Sequence, residues 1–346
     1  MTLTASGIGG RLVVRRRAPA PPKGAAGARE SVRDELALGS PLRGAVRLVA
    51  YLTLTFSLIP VQALGLALGR RGFTDRLPVF YHRLCCRIFG LRIEVRGTPS
   101  TGRPTLFVAN HSSYIDIEVL STVLPVSFVA KAEVAGWPLF GLLAKLQRTV
   151  FVDRRRGSTR EQRDGIAERL AAGDNLVLFP EGTSNDGNRM LPFRSALFSV
   201  AERPVGDEPL TVQPVSLAYT RLDGFPLGYA IRPLVAWYGD MAMGGHLWRL
   251  VGLGKLTAVL EFHPPVTIAE FRSRKAMAEH CHRLVARGVA AALAGRPAVP
   301  AEPGAGPGAK PGARPGAGEA GRGGTAESST NVAGGLVVSD RGVPAA

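Results

Sequence analysis

Thr105-Leu106-Phe107-Val108-Ala109-Asn110-His111-Ser112-Ser113-Tyr114-Ile115-Asp116 is the stretch from which the fold can be read. Thr105–Ala109 is a short apolar run rich in strand formers, and it predicts a buried strand. The polar break that follows ends the strand. Ser113-x-x-Asp116 then matches the capping-box pattern that opens a helix. Strand, polar junction, helix is the unit from which α/β sheets are built.

The same alternation extends outward from this unit. Further strands are expected at Ser127–Ala130, Thr149–Val152, Leu176–Phe179, Val212–Ala218 and Ala258–Phe262. Between the third and fourth of the six, Ser158 with Glu161 makes a capping-box start. Ile166 and Leu170 give a helical stripe and Gly173 a stop. The fold class expected is therefore α/β: a mixed, mostly parallel sheet flanked by helices.

Toward the N-terminus, Leu48 to Leu68 contains no charged residue and is long enough to span a bilayer. Arg43 and Arg47 flank it on one side and Arg70-Arg71 on the other, which conflicts with a single span under the positive-inside rule. Pro60 divides the stretch and is expected to end a helix near Ile59. A monotopic hairpin and a true span both remain open, with a buried core helix as the bland alternative. Leu77 to Phe89, which mixes apolar residues with Arg76, Arg83 and Arg87, reads either as an interfacial helix or as an ordinary core cover. The organisation expected is a basic disordered tail over 1–40, membrane-anchoring helices over 41–90, a catalytic domain over 91–296 and a Pro/Gly/Ala-rich disordered tail over 297–346.

The formal charge of +16 and pI near 10.7 call for a polyanionic partner. The tail arginines lack interleaved aromatics and no recognition helix is visible, which argues against nucleic acid. Three cysteines, two of them adjacent, suggest neither a disulfide framework nor thiolate metal spacing, so no metal is expected.

His111 and Asp116 lie five residues apart, about 140° around a continuous helix. They meet only if His111 sits in the loop and Asp116 in the first helical turn, folding back. An aspartate so placed keeps one ring nitrogen protonated and leaves the other free as a general base. The competing reading is that Asp116 merely caps the helix. Phe179-Pro180-Glu181-Gly182-Thr183 sets an acid, a glycine and a hydroxyl at a strand end, where open α/β sheets carry ligand groups. A Pro-Gly turn with a solvated glutamate is the alternative. His82, His246, His263, His280 and His282 read as surface or packing residues, and Trp137, Trp237 and Trp248 as interfacial or core indoles.

Taken together, Asn110-His111-x4-Asp116, Phe151-Val152-Asp153-Arg154, Phe179 to Thr183 and Val212-Gln213-Pro214-Val215 follow in order, and over roughly residues 80 to 265 the chain resembles the phospholipid/glycerol acyltransferase family. The resemblance implies that His111 deprotonates the hydroxyl of a lysolipid, which attacks the thioester of acyl-CoA or acyl-carrier protein, with Asp116 orienting the imidazole. No acyl-enzyme and no cofactor beyond that co-substrate are implied, in keeping with the lack of a Gly-x-Ser-x-Gly elbow. It also implies that Glu181, Gly182 and Thr183 contact the acceptor, and that Lys131 and Arg154 pair with phosphate; a solvated basic run is the alternative for Arg154-Arg155-Arg156, and Arg155 and Arg156 are read that way. The first acceptor implied is 1-acylglycerol-3-phosphate, giving phosphatidic acid at the cell membrane with the catalytic domain facing the cytoplasm. One departure opens a second acceptor. Ser184-Asn185-Asp186-Gly187 stands where many lysophosphatidate enzymes carry arginine, and this pattern is similar to bacterial enzymes acylating lyso-ornithine lipid. A non-catalytic basic membrane adaptor is the alternative of another class.

Overall fold

The structure is a computed structural model that describes residues 38–102, 104–152 and 159–297. The tails expected over 1–40 and 297–346 fall almost wholly outside these residues, and so do Arg154 and the capping Ser158.

Two helices come first. α1 (Pro41–Ala67) is capped by Ser40, whose hydroxyl accepts the Arg43 N–H at 3.3 Å, with Pro41 at the first helical position. α2 (Arg71–Phe89) returns beside it and closes on Gly90 at φ 75°. The expectation that Pro60 ends the helix is corrected: α1 runs through it. Pro60 is exposed, so its ring and the carbonyl it frees face outward. On the inner side the helix is clamped both before and after it. Thr55 Oγ1 and Tyr81 Oη lie 2.9 Å apart, and the Gln62 amide donates to Thr74 O at 3.0 Å and Leu146 O at 3.1 Å.

The sheet follows: β1 (Leu91–Arg96), β2 (Thr105–Ala109), α3 (Ile115–Ser121), β3 (Ser127–Lys131), α4 (Phe140–Leu146), β4 (Val150–Val152), α5 (Thr159–Ala171), β5 (Leu176–Leu178), β6 (Thr211–Leu222), β7 (Phe225–Pro226), α6 (Met243–Gly252), β8 (Leu256–Phe262) and α7 (Arg274–Leu293). The strand order is β1-β8-β6-β2-β5-β3-β4, with β7 on β6. β6 runs antiparallel to β8 and β7, and every other pairing is parallel. The sheet is thus mixed and mostly parallel, as the alternation of apolar runs suggested. β1 was not anticipated, because its alternating Leu-Arg-Ile-Glu-Val-Arg is half-buried at the sheet edge.

β2 is buried along its whole length, as both-face coverage of a parallel strand requires. One face packs Leu106, Val108, Leu176 and Val212 against Phe198, Met277 and Cys281. α7 lies close on β6 because Gly288 lacks a side chain. A carbon there would stand 2.3 Å from Ser216 Oγ, which pairs with His263 Nε2 at 2.5 Å. The consequence for function is topological. β2, β3, β4 and β5 are parallel neighbours, so the residues after each of them emerge at one edge of the sheet.

Candidate active site

At that edge His111 Nδ1 lies 2.8 Å from Asp116 Oδ2, with His111 leaving β2 and Asp116 in the first turn of α3. The carboxylate is fully buried and has four further polar contacts. Oδ2 accepts the N–H groups of Ser112 at 2.8 Å and Ser113 at 3.0 Å. Oδ1 accepts the Tyr219 hydroxyl at 2.7 Å and the Ser112 hydroxyl at 3.5 Å. Asp116 therefore satisfies the N–H groups at the helix start and contacts the histidine with the same oxygen. The Ser113 hydroxyl does not complete the box: among the described residues it is buried without a partner. Because Oδ2 only accepts, the proton of the neutral imidazole sits on Nδ1 and the Nε2 lone pair faces away from the carboxylate. Burial, followed by the Asp116 charge, pushes the Tyr219 phenol well above its ordinary value, so it remains a donor.

The imidazole is stacked on Phe179, with centroids 4.1 Å apart and planes at 17°. Its backbone is gripped as well. Glu181 Oε1 accepts the His111 N–H at 2.9 Å, and Asn185 Nδ2 donates both to His111 O at 2.9 Å and to Glu181 Oε2 at 2.8 Å. Oε2 also accepts the Leu191 N–H at 2.8 Å. Asn110 fixes the preceding residue. Its amide accepts from Leu217 N and donates to Leu217 O, each at 2.8 Å, continuing the β2–β6 pairing by one side chain.

Glu181 is 2 % exposed. Burial pushes its carboxyl above the usual carboxylate range, opposed by the His111 and Leu191 N–H groups and the Asn185 amide. Its oxygens are thus engaged inside the protein; Gly182, in the left-handed region at φ 75°, is buried as well, and Thr183 is the exposed residue of the turn. Lys131 ends β3 at the same edge, half-buried and 3.6 Å from Oε1 of the exposed Glu133.

Glu181→Gln would place one NH2 opposite an N–H donor. The expected result is a stability loss of about 1–3 kcal/mol and a kcat lowered by about 10- to 100-fold through displacement of His111, with KM little changed. Thermal melting and steady-state kinetics check this. A raised KM with an unchanged melting point would place Glu181 on the substrate instead.

Asn185, Tyr219 and Phe179 were not singled out as site residues from sequence. Phe179 opens the Phe179–Thr183 motif that was, and Asn185 lies two residues beyond it. Tyr219 had no local signal, since it lies 103 residues from Asp116. Of the other histidines, His82 pairs with Glu118 at 2.6 Å and His246 with the Tyr114 hydroxyl at 2.9 Å. Burial pushes His246 down to about 4, so it stays neutral. Among the described residues no three metal-ligating side chains cluster.

A family model described as Acyltransferase matches residues 92–218, the span from β1 into β6. The lyso-ornithine lipid O-acyltransferase of Brucella abortus is 47% identical over 251 residues, covering 71% of this chain and 94% of that protein. The chain belongs to the acyltransferase family. Within that family the lyso-ornithine lipid O-acyltransferase of Rhizobium meliloti is 43% identical, covering 63% of this chain and 76% of that protein. The 1-acyl-sn-glycerol-3-phosphate acyltransferase of Neisseria gonorrhoeae is 34% identical, covering 52% of this chain and 68% of that protein.

An apolar chamber of about 170 Å³ opens near the His111–Asp116 pair, walled by α1, α2, β3 and α4 through residues that include Ile59, Leu77, Phe128, Trp137 and Leu143. Phe128 stacks on Phe179, so two aromatic layers separate the chamber from the imidazole.

Proposed function

We propose that this acyltransferase moves a fatty acyl group from acyl-CoA or acyl-carrier protein to the hydroxyl of lyso-ornithine lipid at a membrane surface. The observation that carries the reaction is the 2.8 Å contact between His111 and a buried Asp116 that has no freedom to turn. His111 Nε2 takes the proton of the acceptor hydroxyl as its oxygen bonds to the thioester carbonyl carbon. Collapse of the tetrahedral adduct breaks the carbon–sulfur bond, and the imidazolium returns the proton to the departing thiolate. Asp116 stabilises the imidazolium between these steps. The chamber suits the acyl chain in being apolar, and it lies behind Phe128 and Phe179 on the side of the base.

Two observations favour lyso-ornithine lipid over 1-acylglycerol-3-phosphate, reversing the order suggested by motif resemblance. The relatives named for the former are the more similar and are covered over more of their length. Ser184 also brings no charge for a phosphate.

Membrane association is supported by an inverted helix. α1 turns Tyr51, Thr55 and Gln62 inward, while Val46, Val49, Phe56, Leu64 and Leu68 stand 60 % or more exposed. By length and composition α1 could cross a bilayer. Both of its ends grip the catalytic domain, however. Arg47 donates to Val251 O and Leu253 O at 3.1 and 2.7 Å, and Gln62 to Leu146 O at 3.1 Å. A helix held along the domain in this way suits in-plane insertion with both ends on one side of the membrane.

The test is acylation by the purified protein of lyso-ornithine lipid and lysophosphatidate in parallel, with radiolabelled acyl-CoA and acyl-carrier protein. A kcat/KM at least about tenfold higher for lyso-ornithine lipid is expected, equivalent to about 1.4 kcal/mol in transition-state binding. A preference for lysophosphatidate overturns the acceptor assignment, and turnover of neither overturns the reaction.

A further inference from the structure

The turn after β5 brings a cation to the site from a distance in sequence. Arg194 N donates to Pro180 O at 2.9 Å, and Leu191 N to Glu181 Oε2 at 2.8 Å, so the loop from 181 to 194 is tied back onto the turn where it began. The Arg194 guanidinium is thereby laid against Gly182. A side-chain carbon at residue 182 would stand 3.1 Å from both Cζ and Nε of Arg194. This is the close approach that Gly182 permits.

Two of the neighbouring cations are engaged, while exposed Arg189 lines the separate recess beside Asn110, Ser112 and Asn185. Lys131 faces Glu133, and Arg232 donates to Leu227 O and Asn188 Oδ1 at 3.1 and 3.2 Å. Arg194 is exposed, and among the described residues no carboxylate pairs with it. An exposed guanidinium laid against Gly182, the residue after the glutamate that grips His111, offers a planar donor fork to a carboxylate or phosphate.

The geometry points to Arg194 as the residue that reads the anionic group of the acyl acceptor, in place of the charge that Ser184 does not bring. This rests on the acceptor-site reading above, and it extends that reading to a residue that none of the sequence motifs contains. The same fork serves the carboxylate of an amino-acid lipid or the phosphate of a lysophospholipid, so the probes must tell these apart.

Binding is measured apart from turnover. Full-length His111→Ala protein, which cannot consume acceptor through the base, is titrated in detergent micelles with lyso-ornithine lipid, its methyl ester and lysophosphatidate. The same titrations are made on His111→Ala proteins that also carry Arg194→Gln or Arg194→Lys. Arg194→Gln is expected to weaken both anionic acceptors by about 10- to 100-fold. The methyl ester, lacking the carboxylate, should bind weakly to the parent and change less than about twofold. Arg194→Lys should recover phosphate binding more than carboxylate binding, because only the fork is bidentate. In otherwise wild-type protein Arg194→Gln should raise KM with kcat nearly unchanged. The inference is overturned if Arg194→Gln binds the anionic acceptors as the parent does, if the ester weakens equally, or if the parent binds neither anion. Anion binding that depends on Arg194 in a protein that turns over no acceptor would retain the site and reject the reaction.

Discussion

Replacing His111 by alanine is expected to lower kcat by about 10²- to 10⁴-fold, the range that loss of a positioned general base produces. The fold should survive. The residue's N–H and carbonyl contacts to Glu181 and Asn185 are made by backbone and remain. Asp116 keeps Ser112 N–H, Ser113 N–H and Tyr219 Oη–H as donors, so no buried charge is orphaned. What is lost is one charge-assisted contact and the stack on Phe179, and the stability change should stay within about 1 kcal/mol. Single-turnover acylation and thermal melting of the same preparation check both halves. Retention of wild-type turnover in folded His111→Ala protein would remove the base from the mechanism.

Asp116→Asn is expected to cost about 10²- to 10³-fold in kcat, for a reason that depends on the neighbours. In Ser-His-Asp triads the same change leaves the imidazole in the wrong tautomer and costs about 10⁴-fold. Here Ser112 and Ser113 present two N–H groups to Oδ2, which forces the amide oxygen of asparagine into that position and its NH2 toward Tyr219. The tyrosine oxygen can accept. His111 Nδ1 therefore still donates and the tautomer survives, while the charge that stabilises the imidazolium is lost. Asp116→Ala is a different experiment. It strands two backbone N–H groups and a tyrosine hydroxyl, each at about 1–3 kcal/mol, and so should also lower the melting point. A loss in Asp116→Asn as deep as in His111→Ala, with an unchanged melting point, would show that the tautomer had turned after all.

The two helical segments show why local reading succeeds in part. Length and charge pattern made α1 a membrane candidate, and its inverted faces agree. Pro60 misled because the helix beyond it is held by Thr74 and Leu146, contacts that no window around residue 60 contains. Arg47 likewise reads as a membrane-flanking charge, yet its donors are taken up by carbonyls more than 200 residues away. The alternation of apolar runs sufficed for a mostly parallel sheet. It did not contain the strand order, which depends on which apolar faces cover one another.

The candidate site divides in the same way. Five residues across a strand-to-helix junction bring His111 and Asp116 together within one local segment, so the sequence by itself determined that the two side chains meet. Tyr219 on Asp116, Glu181 and Asn185 on His111, and Arg194 over Gly182 were decided by the tertiary structure. The Tyr219, Glu181 and Asn185 contacts join segments 70 to 103 residues apart and exist because β2 pairs in register with both β5 and β6. That register is selected by burial over the whole sheet, a sum over many residues that no single motif carries.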